Sequence, residues 1–117
     1  MEIRDLAEKG FNLEEAMELC INDEDIYREV LETALEEGRE KVPFMKEIFE
    51  SGDFDRYIIE AHGLKNAAKQ IGADELSEVA KASELAGKAG DMDFVKGNHD
   101  KLITMYQDML DILSELF

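Results

Sequence analysis

Two histidines and one cysteine are the side chains of this sequence best suited to nucleophilic or metal chemistry, and their neighbours decide what each can do. His62 is followed by Lys65 at +3, Asn66 at +4 and Lys69 at +7. On a helix of about 3.6 residues per turn these positions share one stripe. Tyr57, Ala61, Leu64, Ala68 and Ile71 gather on the other side, as a core-facing stripe should. The imidazole is therefore expected to face solvent with two ammonium groups within side-chain reach. A neutral imidazole is a nucleophile at physiological pH without an activating base, and lysines beside it favour an anionic electrophile such as a phosphoryl group. Gly63, in mid-helix, costs about 1 kcal/mol relative to Ala and points to a packing or access requirement next to the histidine. Ile58 and Ile59, at −4 and −3, lean toward the His62 side and form the kind of apolar border that a docking surface uses.

The competing chemistries fail on spacing. A di-iron bundle needs Glu-x-x-His pairs, but Ile59 and Lys96 stand three residues before His62 and His99. The stretch from Asp91 to Leu102 opens like a calcium loop, yet Lys96 occupies the position that needs Gly, and Leu102 the position of the bidentate Glu. No metal site is expected. No Gly-rich phosphate loop or kinase nucleotide motif occurs, so neither ATP nor any other cofactor is expected on this chain. His99 reads as a lone surface residue. Cys20 is the only cysteine, which rules out an internal disulfide and a thiolate zinc cage and suits a reducing compartment.

The elements that position His62 follow from composition and punctuation. One proline and no tryptophan, in a chain rich in Ala, Glu, Leu, Lys and Met, favour helix throughout. The 117 residues suffice for a single domain. Gly10 before Asn12, the pair Asn22 and Asp23, Gly52 before Asp53, Gly72 before Asp74, and Gly90 before Asp91 are stop-and-start signals. They give a short helix near 13–20, a long segment near 24–51, and helices near 53–71, 74–89 and 91–116. Pro43 falls inside the long segment and predicts a break after Lys41. Ile26, Val30, Leu31, Ala34 and Leu35 form one core stripe, and Val95, Leu102, Tyr106, Met109, Leu113 and Leu116 another. The six methionines read as gap-fillers in that core. Connections of two or three residues force consecutive helices antiparallel, so residues 1–117 are expected to form one all-α domain, an up-and-down four-helix bundle with an additional short N-terminal helix.

Charge limits the partners. With 13 Lys and Arg against 29 Asp and Glu, the formal net charge is -16, so nucleic acid and anionic membranes are repelled. The opening MEIRDLAEKG puts acidic residues where a signal peptide needs a basic and then apolar run, and no stretch has the roughly 18 apolar residues of a membrane span. A cytoplasmic location is expected.

The run from Ala61 to Asp91 resembles the histidine-containing phosphotransfer (HPt) domain, whose signature reads Ala-His-x-Leu-Lys-Gly, small residues, Ile-Gly-Ala, a Leu and later Gly-Asp. Ala61, His62, Leu64, Lys65, Ala67, Ala68, Ile71, Gly72, Ala73, Leu76, Gly90 and Asp91 match in place. The segments FNLEEAMEL and SGDFDRYIIEAH look like the family's lead-in, so the resemblance covers nearly the whole chain.

The resemblance implies that His62 takes a phosphoryl group from a receiver aspartyl phosphate or a histidine kinase and relays it to a response-regulator receiver. Lys65 would compensate phosphoryl charge, with Lys69 in support, and the receiver would bring magnesium. Glu84 lies where the family often has a polar side chain that orients the imidazole. Three departures stand out: Asn66 replaces the usual Gly near the approach of a receiver loop, Gly63 replaces a common hydroxyl residue, and Ser83-Glu84 stands where Leu-Glu is frequent, leaving Leu85 turned from the core. The alternative is a non-catalytic interaction module of the same shape, which would have no need of His62.

Overall fold

The computed structural model describes residues 1–117 and is entirely helical. A 3-10 segment, Ile3–Lys9, precedes the short helix α1 (Leu13–Leu19). Four long helices follow: α2 (Glu24–Glu50), α3 (Phe54–Gln70), α4 (Asp74–Lys88) and α5 (Met92–Ser114). The long helices pack in the cyclic order α2, α3, α4, α5 and back to α2, closing the expected four-helix bundle, about 40 by 22 by 20 Å. The N-terminal 3-10 segment is an element the sequence pattern did not foretell. No helix is long and apolar enough to cross a membrane.

The helix starts follow the Asx signals. Side-chain oxygens of Asn12, Asp23, Asp53 and Asp91 accept from backbone N–H groups in the first turns of α1, α2, α3 and α5. The exception is α4, where Ala73 occupies the cap without a side-chain bond and Asp74 is already helical. Gly72 serves a second need there. Its φ is +87°, and a Cβ on it would stand 2.6 Å from the Asn12 carbonyl oxygen. Its own carbonyl accepts from the Asn12 N–H at 2.8 Å, tying the N-terminal segment onto the α3–α4 turn.

Pro43 does not break the chain: α2 runs unbroken through it. The proline is exposed while Val42 and Met45 beside it are buried, so the backbone bond it deletes lies on the wet side, where water can satisfy the freed Arg39 carbonyl. The expected core stripe of α2 is met at Leu31 and Leu35, with Val30 and Ala34 half-buried against the core, but not at Ile26. Tyr27, Leu31, Leu35, Val42, Met45 and Ile48 are buried, and the Tyr27 hydroxyl donates to the Ile71 carbonyl at 2.7 Å. Ile26, one residue off this stripe, is exposed. Among the methionines Met45 and Met109 are core residues, whereas Met1 is exposed.

His99 is the other correction. It is buried, stacked on Phe49 with ring centroids 3.7 Å apart, and its Nδ1 shares a 2.7 Å hydrogen bond with the buried Tyr57 hydroxyl. The reason is periodicity: Val95, His99, Leu102 and Tyr106 form an unbroken stripe on α5, and His99 fills its seven-residue gap. Burial holds its pKa below the ordinary histidine value; Asp100 and Glu50 act the other way, and Lys46 adds to the lowering. A neutral buried ring that must charge in acid contributes stability above the ordinary histidine range, and that stability is lost as pH falls through the depressed native value. Denaturant titrations between pH 8 and pH 5 should therefore show parent stability falling below about pH 6.5. His99→Leu should be less stable at pH 8 but lose less over the same interval, and equal pH slopes would refute the assignment.

Candidate functional site

His62 lies midway along α3 with its side chain 52% exposed, and what anchors it comes from α4. Its Nδ1 is hydrogen bonded to Oε2 of Glu84, whose side chain is only 1% exposed. The same carboxylate accepts from Lys65 Nζ through Oε1 at 2.7 Å and from Lys88 Nζ through Oε2 at 3.0 Å. Burial pushes the Glu84 carboxyl upward, but hydrogen bonds from Lys65, Lys88 and His62 outweigh it and hold the group at about 2. Glu84 is thus a charged carboxylate at neutral pH. One anion between two ammonium groups leaves the cluster net positive beside the ring, a local reversal of sign on a chain of charge -16.

The packing around the cluster fixes α4 against its neighbours. The Ser77 hydroxyl donates to the Lys65 carbonyl at 2.8 Å, and the Asn98 amide of α5 donates to Ser83 Oγ at 2.7 Å. Ser83 is fully buried, and Leu85 is 54% exposed, turned from the core as expected. Gly87 lets α3 and α4 approach, because a Cβ there would run into the Ile58 side chain.

The expected site residues therefore separate into groups. His62, Lys65, Asn66 and Glu84 come together, the Asn66 amide nitrogen lying 3.3 Å from His62 Nε2. Lys69 does not join them: it pairs with Glu15 of α1 and Asp74 of α4, each at 3.3 Å, and those bonds raise its pKa. Gly63 is exposed, and nothing in the protein occupies the space of a Cβ on it, so internal packing does not require the glycine. It lines a cavity of about 140 Å³ with Glu37, Lys41, Glu60 and Tyr106, on the α2 side of α3. Ile59 is 58% exposed, whereas Ile58 is half-buried against Gly87. Lys88 was missed, although its place four residues after Glu84 is a helical ion-pair spacing visible in the sequence.

An antiparallel helical bundle that presents one imidazole on a helix surface, backed by a buried carboxylate, defines a class of protein whose chemistry depends on what docks against that ring. A sequence model of the Hpt domain matches residues 29–114, and the chain belongs to the Hpt domain family. No curated protein and no solved structure shows significant similarity to it. Membership carries a phosphotransfer role in two-component signalling, in which Hpt domains interact with receiver domains and kinases.

Proposed function

We propose that His62 accepts a phosphoryl group on Nε2 from a receiver aspartyl phosphate or a histidine kinase and relays it to a response-regulator receiver. The observation that carries this reading is the Glu84 contact to Nδ1. A carboxylate only accepts, so it keeps the ring proton on Nδ1 and leaves the Nε2 lone pair directed outward. In the forward step that lone pair attacks phosphorus, the bond from phosphorus to the aspartyl oxygen breaks, and the electron pair leaves with the aspartate carboxylate. The proton stays on Nδ1, and the cationic ring is stabilised by Glu84. Phosphoryl transfer through a loose transition state asks mainly for positioning and charge compensation, which a rigid helix and two lysines supply. Magnesium belongs to the receiver in this scheme.

Incubation with a phosphorylated receiver should label the chain with a group labile in acid and stable in alkali; a label of the opposite stability would contradict the reading. Lys65→Ala should slow transfer by about 10–100-fold, the worth of a charge-assisted hydrogen bond. Lys88 still covers Glu84 in that variant, so the fold is retained. An unchanged rate would place the needed positive charge on the receiver instead.

Exposed Ile59 and Leu85 on the two helices that frame His62 supply the apolar rim for the receiver. Ile59→Ala should weaken receiver binding by about 5–30-fold with helicity unchanged. Ile58→Ala is the less clean probe, because it also removes the packing on Gly87. Calorimetric titrations of parent and Ile59→Ala that gave equal affinities would exclude this rim.

A further inference from the structure

We propose that Asn66 is a hydrogen-bond donor stationed on the acceptor nitrogen of His62, which passes from the ring lone pair to the arriving phosphoryl group and so favours the phosphohistidine form. The inference rests on reading His62 as the acceptor. Two contacts on opposite sides of the ring carry it. Glu84 can only accept, so Nδ1 bears the proton and Nε2 can only accept in the neutral ring. Asn66, one helical turn further along α3, has its amide nitrogen 3.3 Å from that Nε2. The donor side of the carboxamide therefore faces the lone pair, and the two bonds select the same tautomer.

That lone pair must be released before it can attack phosphorus. Asn66 is exposed and makes no other side-chain hydrogen bond, so its amide can swing aside without breaking a second contact. Once the N–P bond has formed, the nearest acceptors are the oxygens on the phosphorus bonded to the nitrogen that Asn66 already faces. An N–H bond to an anionic oxygen is roughly twice as strong as one to a neutral acceptor. The donor thus gains on transfer, and the equilibrium moves toward the phosphorylated chain. Lys65 and Lys88 are bonded to Glu84, the partner of Nδ1, and neither is hydrogen bonded to Nε2.

Phosphoramidate serves as the probe and requires no partner protein. The Nε2 lone pair attacks its phosphorus, the P–N bond breaks, and the departing nitrogen takes a proton from water to leave as ammonia. In a fixed mixture of phosphoramidate and ammonia, the equilibrium ratio of phosphorylated to free chain is read by phosphorus NMR. Asn66→Ala should lower this ratio by about three- to tenfold, and Asn66→Asp, an isostere that brings a negative charge and no donor, by more. Thermal melting of both variants reports on the fold separately, and Asn66 is exposed and outside the core. Ratios equal to the parent in both variants, with His62 labelled, would overturn the role of Asn66 alone. A parent that takes no phosphoryl group on His62 would overturn both this role and the reading it rests on.

Discussion

Replacing His62 by Gln should abolish phosphorylation of this chain by a charged receiver or kinase, with no more than a minor change in stability. Glutamine keeps a polar side chain of similar reach that can still donate an amide N–H toward Glu84, so the buried carboxylate retains its lysines and gains a substitute for the ring N–H. The amide has no nucleophilic lone pair on nitrogen, so the reacting atom is removed while the scaffold stays. The other histidine cannot stand in, because His99 of α5 is buried against Phe49 of α2 and Tyr57 of α3, with Nδ1 committed to Tyr57. Labelling is checked by phosphate-sensitive electrophoresis and intact mass, and folding by circular dichroism. A folded His62→Gln protein labelled as well as the parent would refute the acceptor assignment.

Removing both lysines that cover Glu84 should have the largest effect on stability. In Lys65→Met/Lys88→Met the carboxylate, 1% exposed, keeps only the His62 contact. A buried charge stripped of its partners costs about 3–5 kcal/mol, because its desolvation is no longer offset. Adding Glu84→Gln should recover most of that loss, since the orphaned charge is gone. The parent carboxyl, held at about 2, contributes stability that is present above the ordinary carboxylate range and lost as pH falls through about 2. The double variant should lose that acid dependence, as its carboxyl takes a proton at higher pH. Denaturant melts of the three variants decide it: a double variant as stable as the parent would mean that water reaches Glu84 and the ion pairs are incidental.

The fold was legible in the sequence because its punctuation is local: a glycine and an Asx residue mark most helix junctions, and both act through their own backbone or side chain. What was not legible depended on which side of a helix meets solvent. Pro43 breaks a helix only where the lost bond cannot be hydrated, and its exposure on α2 becomes known only once the bundle is assembled. Ile26 and Tyr27 are adjacent candidates for one stripe, and the bond from the Tyr27 hydroxyl to the Ile71 carbonyl, across 44 positions, settles the choice. His99 was within reach, since it completes the stripe of Val95 and Leu102, but a polar residue type masked its position. In the site, the outward stripe of His62, Lys65 and Asn66 follows from helical spacing alone. Glu84 came from family resemblance, and its link to His62 needed the pairing of α3 with α4. Lys69 shares the stripe but is drawn away by Glu15, on a helix whose approach no local pattern encodes.

The most direct test is to locate the phosphorus atom by phosphorus–nitrogen correlation NMR on phosphorylated chain labelled with nitrogen-15 in histidine. The expected spectrum shows phosphorus coupled to Nε2 of His62, with Nδ1 protonated toward Glu84. Phosphorus on Nδ1, on His99 or on any other residue would contradict the proposed acceptor.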